Sequence, residues 1–297
     1  MMFSILTGLS QESIFVMHYK IKLPFLLLLI IACKKSEVIH DDSRFGTKIM
    51  ILGHAGMGMY YNWPSNSKES IEACIDIGCD GSEIDVQMTL DSVLVAYHDQ
   101  DLSTQSNCFG QIYNHHWSEI ENCELNKALY KGKFIKLEAL FESLNNVQDL
   151  YFSFDCKLNA NVSNFNSYQL QFIRAIKRLG NKFNNSNHCF IEGPKEFLNL
   201  AIINGLKNPL FLISNNDDHP SDTSKINQFF GVSIPDESSD ADLNYAYTLG
   251  IRTMVWAPLN YTQNKDVLSK KPDIIQTDDP ISLLKLCNRF NYESVRP

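Results

Sequence analysis

The chain has 297 residues, 44% of them hydrophobic, and a formal charge of −8. That composition supports one large globular domain, or at most two. The acidic balance excludes a general nucleic-acid binder, which needs a basic face, but leaves a phosphate-bearing substrate open because a bound cation can supply positive charge locally.

Lys20 and Lys22 precede an apolar run from Leu23 to Ala32 that ends at Cys33. The run is too short to span a bilayer comfortably, and Ile30-Ile31-Ala32-Cys33 resembles a bacterial lipobox. Residues 1–33 are therefore expected to be a signal peptide, with Cys33 as the lipidated first mature residue. An ordinary signal peptide or a buried helix is the bland alternative. Met17 makes a better signal-peptide start than Met1. Residues 34–46 are polar and read as a tether. The expected product is an exported lipoprotein anchored to a cell-envelope membrane, facing the periplasm or the cell surface.

Setting Cys33 aside leaves seven of the eight cysteines in an oxidising compartment. Cys108 and Cys123 flank a loop-like stretch and are the expected disulfide pair. Cys74 and Cys156 lie in helix- and strand-like patterns and are expected to be buried thiols. No cysteine spacing matches a zinc site.

From residue 47 to 290, short apolar runs alternate with amphipathic ones. Strands are expected at 48–53, 81–87, 92–97, 150–156, 188–192, 209–214, 229–234, 251–256 and 273–276. Helices are expected at 67–77, 136–145, 167–180, 194–204, 241–249 and 281–288. This alternation, over this length, points to an α/β fold of the (β/α)8 TIM-barrel type. An open doubly wound sheet is the alternative, and no Gly-x-Gly-x-x-Gly turn supports it. The polar stretch 99–133 breaks the rhythm and reads as a small insertion on the top face after the second strand region.

Chemistry concentrates at the strand ends. Glu83 and Asp85 alternate along one strand and so share a face, where adjacent carboxylates are costly to bury without a cation. His54 and His98 each close an apolar run, a position suited to acid–base work. The bland reading of either histidine alone is a hydrogen-bonded structural residue. His115 and His116 read as surface residues, His188 and His219 as structural ones. Trp256 ends a strand as a core or pocket-wall ring, and Asp278-Asp279-Pro280 reads as a turn and helix cap.

In order, the motifs are Gly53-His54-Ala55-Gly56, Pro64-Ser65-Asn66-Ser67, Gly81-Ser-Glu83-Ile-Asp85, Val93-Leu-Val-Ala-Tyr-His98-Asp99, Gly250-Ile-Arg-Thr-Met-Val255-Trp256 and Thr277-Asp278-Asp279-Pro280. The set resembles the glycerophosphodiester phosphodiesterase family from about Ile49 to Leu286. The resemblance implies a (β/α)8 phosphodiesterase with one divalent ion, Ca2+ or Mg2+. It implies Glu83, Asp85 and Asp155 as metal ligands and His54 and His98 as the acid–base pair. Lys157 would bind phosphate, and Trp256 would stack on a small phosphodiester substrate. Two positions depart from the family: Ala55 stands where an Arg is usual and Ser65 where a Glu is usual, with Asn66 or Lys68 as candidate substitutes at the phosphate. The competing readings are a phospholipase-type head-group hydrolase and a binding module that has lost turnover.

Overall fold

The computed structural model describes residues 40–127, 130–214 and 219–294. The expected signal peptide, Cys33 and residues 34–39 of the expected tether lie outside the described residues.

Nine strands share one sheet. They are β1 (Met50–Gly53), β2 (Gly81–Met88), β3 (Leu94–Ala96), β6 (Tyr151–Cys156), β7 (Cys189–Gly193), β8 (Leu210–Ile213), β9 (Gly231–Pro235), β10 (Arg252–Trp256) and β11 (Ile274–Thr277). Their order is β1-β11-β10-β9-β8-β7-β6-β2-β3, and β1 also pairs with β2, so the sheet closes on itself. Only β3 runs antiparallel, against β2. The eight parallel strands that remain form a (β/α)8 barrel, as the alternation predicts. The expected strand at 92–97 is therefore no stave; it is the ribbon that carries the chain from β2 into the insertion.

Helices α1 (Lys68–Asp76), α3 (Leu137–Ser143), α4 (Phe165–Phe183), α5 (Lys195–Ile203), α6 (Pro220–Asn227), α7 (Asp240–Thr248), α8 (Tyr261–Ser269) and α9 (Pro280–Leu286) lie outside the barrel; the short α2 (Trp117–Ile120) belongs to the insertion. Helices α6 and α8 were not expected. Their sequences, Pro-Ser-Asp-Thr-Ser-Lys-Ile-Asn and Tyr-Thr-Gln-Asn-Lys-Asp-Val-Leu-Ser, offer few apolar positions at helical spacing. Local signals compensate: Pro220 opens α6, and the Asn260 side chain caps α8 by accepting from the Thr262 and Gln263 amides.

Two apolar layers separate staves from helices, one around Phe152, Phe154, Phe172 and Phe197 and another around Ile51, Leu243, Val267 and Leu283. Inside the barrel, Leu52, Phe190, Phe211, Met254 and Ile274 fill the lower part. Because side chains alternate, the residues that face this inner core share their parity with Glu83, Asp85, Asp155 and Glu192 higher up. The apolar plug closes the lower end of the barrel and leaves the polar positions at the C-terminal mouth.

The insertion has its own small core of Val95, Tyr97, Leu102, Ile112, Ile120, Cys123, Leu125 and Phe134. It includes the hairpin β4 (Glu124–Lys127) and β5 (Tyr130–Lys133). Cys108 and Cys123 form the expected disulfide. Cys74, Cys79, Cys156, Cys189 and Cys287 are free and buried.

Residues 41–46, expected within the tether, touch the barrel. Asp42 bridges to Lys48, Arg44 binds the Lys271 carbonyl and the Asp240 carboxylate, and Phe45 packs edge-on to Tyr247. These contacts lie at the N-terminal ends of β1, β10 and β11, on the rim opposite the polar mouth.

Candidate active site

His54 follows β1 and faces inward. The next residues turn sharply: Ala55 has φ 49° and Gly56 φ 95°. A Cβ on Gly56 would lie 2.7 Å from the Ser70 backbone, so this turn admits no side chain there. The turn points the Ala55 amide at Glu83, whose Oε2 accepts it at 2.7 Å. His54 is fixed from the other side. Its Nδ1–H donates to Asp278 Oδ1 at 3.1 Å, and the Asp278 side chain is fully buried. The Met59 amide also donates to Asp278 Oδ1, at 2.9 Å.

Glu83 and Asp85 share the inner face of β2, and Asp85 lies in register with Asp155 on β6. One ligand oxygen from each of Glu83, Asp85 and Asp155 falls within 4.8 Å of the others. Asn66 orients Asp85: its amide donates to Oδ2 at 2.7 Å, while its oxygen accepts the Asp85 backbone N–H at 3.0 Å. Lys157 Nζ bridges Asp85 Oδ1 at 3.0 Å and Asp155 Oδ2 at 2.5 Å.

Electrostatics follow from this crowding. Burial, reinforced by the Asp85 charge, pushes the Glu83 carboxyl well above the usual carboxylate range. Burial also raises Asp155, although Lys157 opposes it. Burial would raise Asp85 as well, but Lys157, His98, His54 and the Asn66 hydrogen bond hold it below its ordinary value. Burial disfavours charge on His54, yet the Asp278 hydrogen bond and the charges of Glu83, Asp278 and Asp85 outweigh it and lift the ring to about 10. Lys157 bridges two of the three carboxylates, and the charged neighbour that favours ionised Glu83 is His54. Three hard oxygen donors in this arrangement fit a single divalent cation of the calcium or magnesium type.

His98 lies beyond β3 at the edge of the insertion, with its side chain 52% exposed and its Nδ1 3.1 Å from Asp99 Oδ1. Gln87, inward on β2, donates its amide to the carbonyls of Tyr97, His98 and Asp99 and so holds that turn. Both imidazoles lie within electrostatic reach of Asp85. Trp256 ends β10 partly exposed, with the inward parity of Met254. Lys68 pairs with Glu72 along α1 at 3.4 Å with its side chain 40% exposed, and Asn66 is engaged by Asp85. His116 is exposed and His115 half-buried, and His188 Nδ1 meets the Gln148 carbonyl at 2.6 Å.

Sequence reasoning missed two residues. Asp278 was expected only as part of a turn; Asp279 is in fact the α9 cap, and Asp278 reaches His54. The pairing of β11 with β1, Thr277 beside Gly53, puts residue 278 next to residue 54, and that signal exists only once the barrel closes. Glu192, in register with Asp155, is the second. It is buried among Ser153, Ser233 and Gln276, all hydrogen-bonded to it, and burial together with the Asp155 charge raises its pKa.

The glycerophosphoryl diester phosphodiesterase family profile matches residues 54–282, most of the chain and every position of this site. The chain belongs to that family, whose members are phosphoric diester hydrolases. A glycerophosphodiester phosphodiesterase of Caldanaerobacter subterraneus subsp. tengcongensis is 21% identical over 253 residues, covering 82% of this chain and 99% of that relative. Among solved structures, a glycerophosphodiester phosphodiesterase of Parabacteroides distasonis superposes with a TM-score of 0.67 at 20% identity, covering 81% of this chain and 97% of the other. An Oleispira antarctica phosphodiesterase, solved with the product sn-glycerol-3-phosphate, superposes with a TM-score of 0.68 at 14% identity, covering 80% and 96%. At these identities the structural likeness establishes the barrel.

Proposed function

We propose that this family member hydrolyses glycerophosphodiesters, or a related exported phosphodiester, to an alcohol and glycerol 3-phosphate. The observation that carries the reading is the convergence of Glu83, Asp85 and Asp155 beside a histidine held by a buried aspartate.

Glu83, Asp85 and Asp155 would hold a Ca2+ or Mg2+ ion, which supplies Lewis-acid stabilisation of charge on the phosphoryl oxygens. Lys157 adds a fixed positive charge on the same side, in the phosphate-binding role that its position in the family's motif implies. Asp278 keeps the proton on His54 Nδ1 and stabilises the imidazolium, which suits His54 to donate from its other nitrogen to the leaving alkoxide. His98, more exposed, is suited to take the proton of the attacking hydroxyl. Trp256, at the mouth, would stack against the substrate.

The test is turnover of glycerophosphocholine, glycerophosphoethanolamine and bis(p-nitrophenyl) phosphate by residues 34–297, with and without Ca2+ or Mg2+. EDTA should abolish activity, and His54→Ala should lower kcat/KM by at least about 10². Turnover indifferent to chelator would exclude the metal reading; no turnover of any diester would favour the binding module.

The exported, lipid-anchored reading is supported by the lipobox-like Ile30–Cys33 and by the Cys108–Cys123 disulfide, a bond that persists in oxidising compartments. Cys33→Ser should move the protein from the membrane to the soluble fraction; unchanged membrane recovery would sink the anchor.

A further inference from the structure

Helix α1 ends in a turn that brings two cysteines together. The Gly78 amide donates to the Ile75 carbonyl at 3.0 Å, and the Cys79 amide donates to the Cys74 carbonyl at 3.3 Å. Gly78, at φ 113°, supplies the left-handed residue that this double closure needs. Such a turn sets the second residue beyond the cap against the third residue from the helix end. Here both are cysteines. The Cys79 thiol is hydrogen-bonded to Cys74, and both side chains are buried.

The bland reading is an apolar contact between two small side chains. Two thiols in contact can also share a disulfide without either leaving its place, and the chain already holds one such bond at Cys108–Cys123. The remaining thiols are placed differently. Cys156 and Cys189 lie at opposite ends of neighbouring staves, with Cys189 opposite Phe152, and Cys287 follows α9. Burial raises the Cys79 thiol well above its ordinary value, so any exchange belongs to the folding chain, before α1 packs.

We propose that Cys74 and Cys79 form a second disulfide during folding, by exchange with a disulfide donor of the oxidising compartment. The donor is a protein dithiol oxidant or oxidised glutathione. One cysteine thiolate attacks a donor sulfur, giving a mixed disulfide and releasing a donor thiolate; the other cysteine thiolate then displaces the second donor sulfur. Two S–H bonds are lost and one S–S bond forms, while the donor disulfide takes up both electrons and both protons. The inference rests on the exported reading above, which supplies the oxidant.

The bond would tie the end of α1 to the start of β2, the strand of Glu83 and Asp85. Helix α1 also backs the His54 turn. Its Ser70 Oγ accepts the Met57 amide at 2.8 Å, and its Cys74 Sγ packs against Gly53, leaving no room for a Cβ there. One support would thus hold both the histidine turn and the carboxylate strand.

The test counts thiols in residues 34–297, which carry seven cysteines. The protein is refolded in an excess of oxidised over reduced glutathione, unfolded without reductant, alkylated with N-ethylmaleimide and weighed. The expected labels fall on Cys156, Cys189 and Cys287 alone, and the peptide holding Cys74 and Cys79 is two hydrogens lighter than its reduced form. Labels or glutathione adducts on Cys74 and Cys79 would overturn the proposal, whatever the state of the other five. So would protein taken from cells with Cys108–Cys123 closed and Cys74 and Cys79 open. Cells in which both pairs stay reduced would sink the exported reading alone, because the glutathione arm decides the bridge by itself. In a second arm, oxidised Cys79→Ala should melt about 2–6 °C below oxidised wild type. Reductant opens Cys108–Cys123 in both proteins, so the gap should shrink there; a gap of unchanged size would leave the pair a packing role only and overturn the proposal.

Discussion

Asp278 makes one hydrogen bond that matters more than its helix-turn setting suggests. By accepting from His54 Nδ1 it fixes the ring's tautomer and favours its charged form. Asp278→Asn keeps the shape and removes the charge. It should lower kcat by about 10–10² and move the alkaline limb of the pH–rate profile to lower pH. A fall in kcat with an unmoved profile would assign Asp278 a packing role only. At this scale the sequence was generous with ligands and poor with their supports. Alternation places Glu83 and Asp85 on one face of their strand, and the family resemblance picks out Asp155, Lys157 and His54. Asp278 acts on His54 from 224 residues away, while Asn66 and Gln87 act on residues 19 and 10–12 positions on, and all three roles depend on how the strands and turns pack. Ala55 shows the same limit. The missing arginine is plain in the sequence, but the use of the residue's amide on Glu83 depends on a backbone turn with positive φ.

Among the elements, the insertion stands apart energetically. Its core is separate from the barrel's layers, and it depends on one covalent link between residues 108 and 123, a sequence separation of 15. Closing a loop of that size is worth about 3 kcal/mol in the chain-entropy picture. Cys108→Ser should therefore loosen residues 99–133 while the barrel stays folded. Limited proteolysis should cut the variant inside that stretch and leave residues 134–294 intact; equal resistance in both proteins would show that the small core suffices alone. Because His98 lies at the root of the insertion, kcat/KM should fall with it. The staves were legible because parallel strands buried on both faces read as apolar runs. Helices α6 and α8 were not, because each is held by an end signal and tertiary contact rather than by an apolar stripe. The run at 92–97 was legible as a strand, but its antiparallel place beside β2 was not, since nothing local distinguishes a stave from a ribbon.

For the whole molecule, the polar mouth makes stability depend on pH and on cations. Glu83, Asp155 and Glu192 have raised pKa values in the fold, as does His54, so the native state binds more protons than the unfolded chain. Stability in EDTA should then fall as pH rises from the ordinary carboxylate range through neutrality, and His54 extends the loss towards pH 10. Asp85, depressed, acts oppositely: its contribution is present above its ordinary value and lost in stronger acid. Millimolar Ca2+ or Mg2+ should raise Tm most at the alkaline end, and Glu83→Gln should flatten the EDTA profile. A Tm that rises with pH in EDTA would contradict this balance. The docking of residues 41–46 at the N-terminal rim has a practical counterpart. A bead or sensor chip coupled ahead of His40 would grip the barrel by its base, leaving the mouth open to the bulk liquid. Diffusible diesters would reach an immobilised layer as freely as they reach the dissolved enzyme, whereas diesters embedded in the support itself would lie on the wrong side.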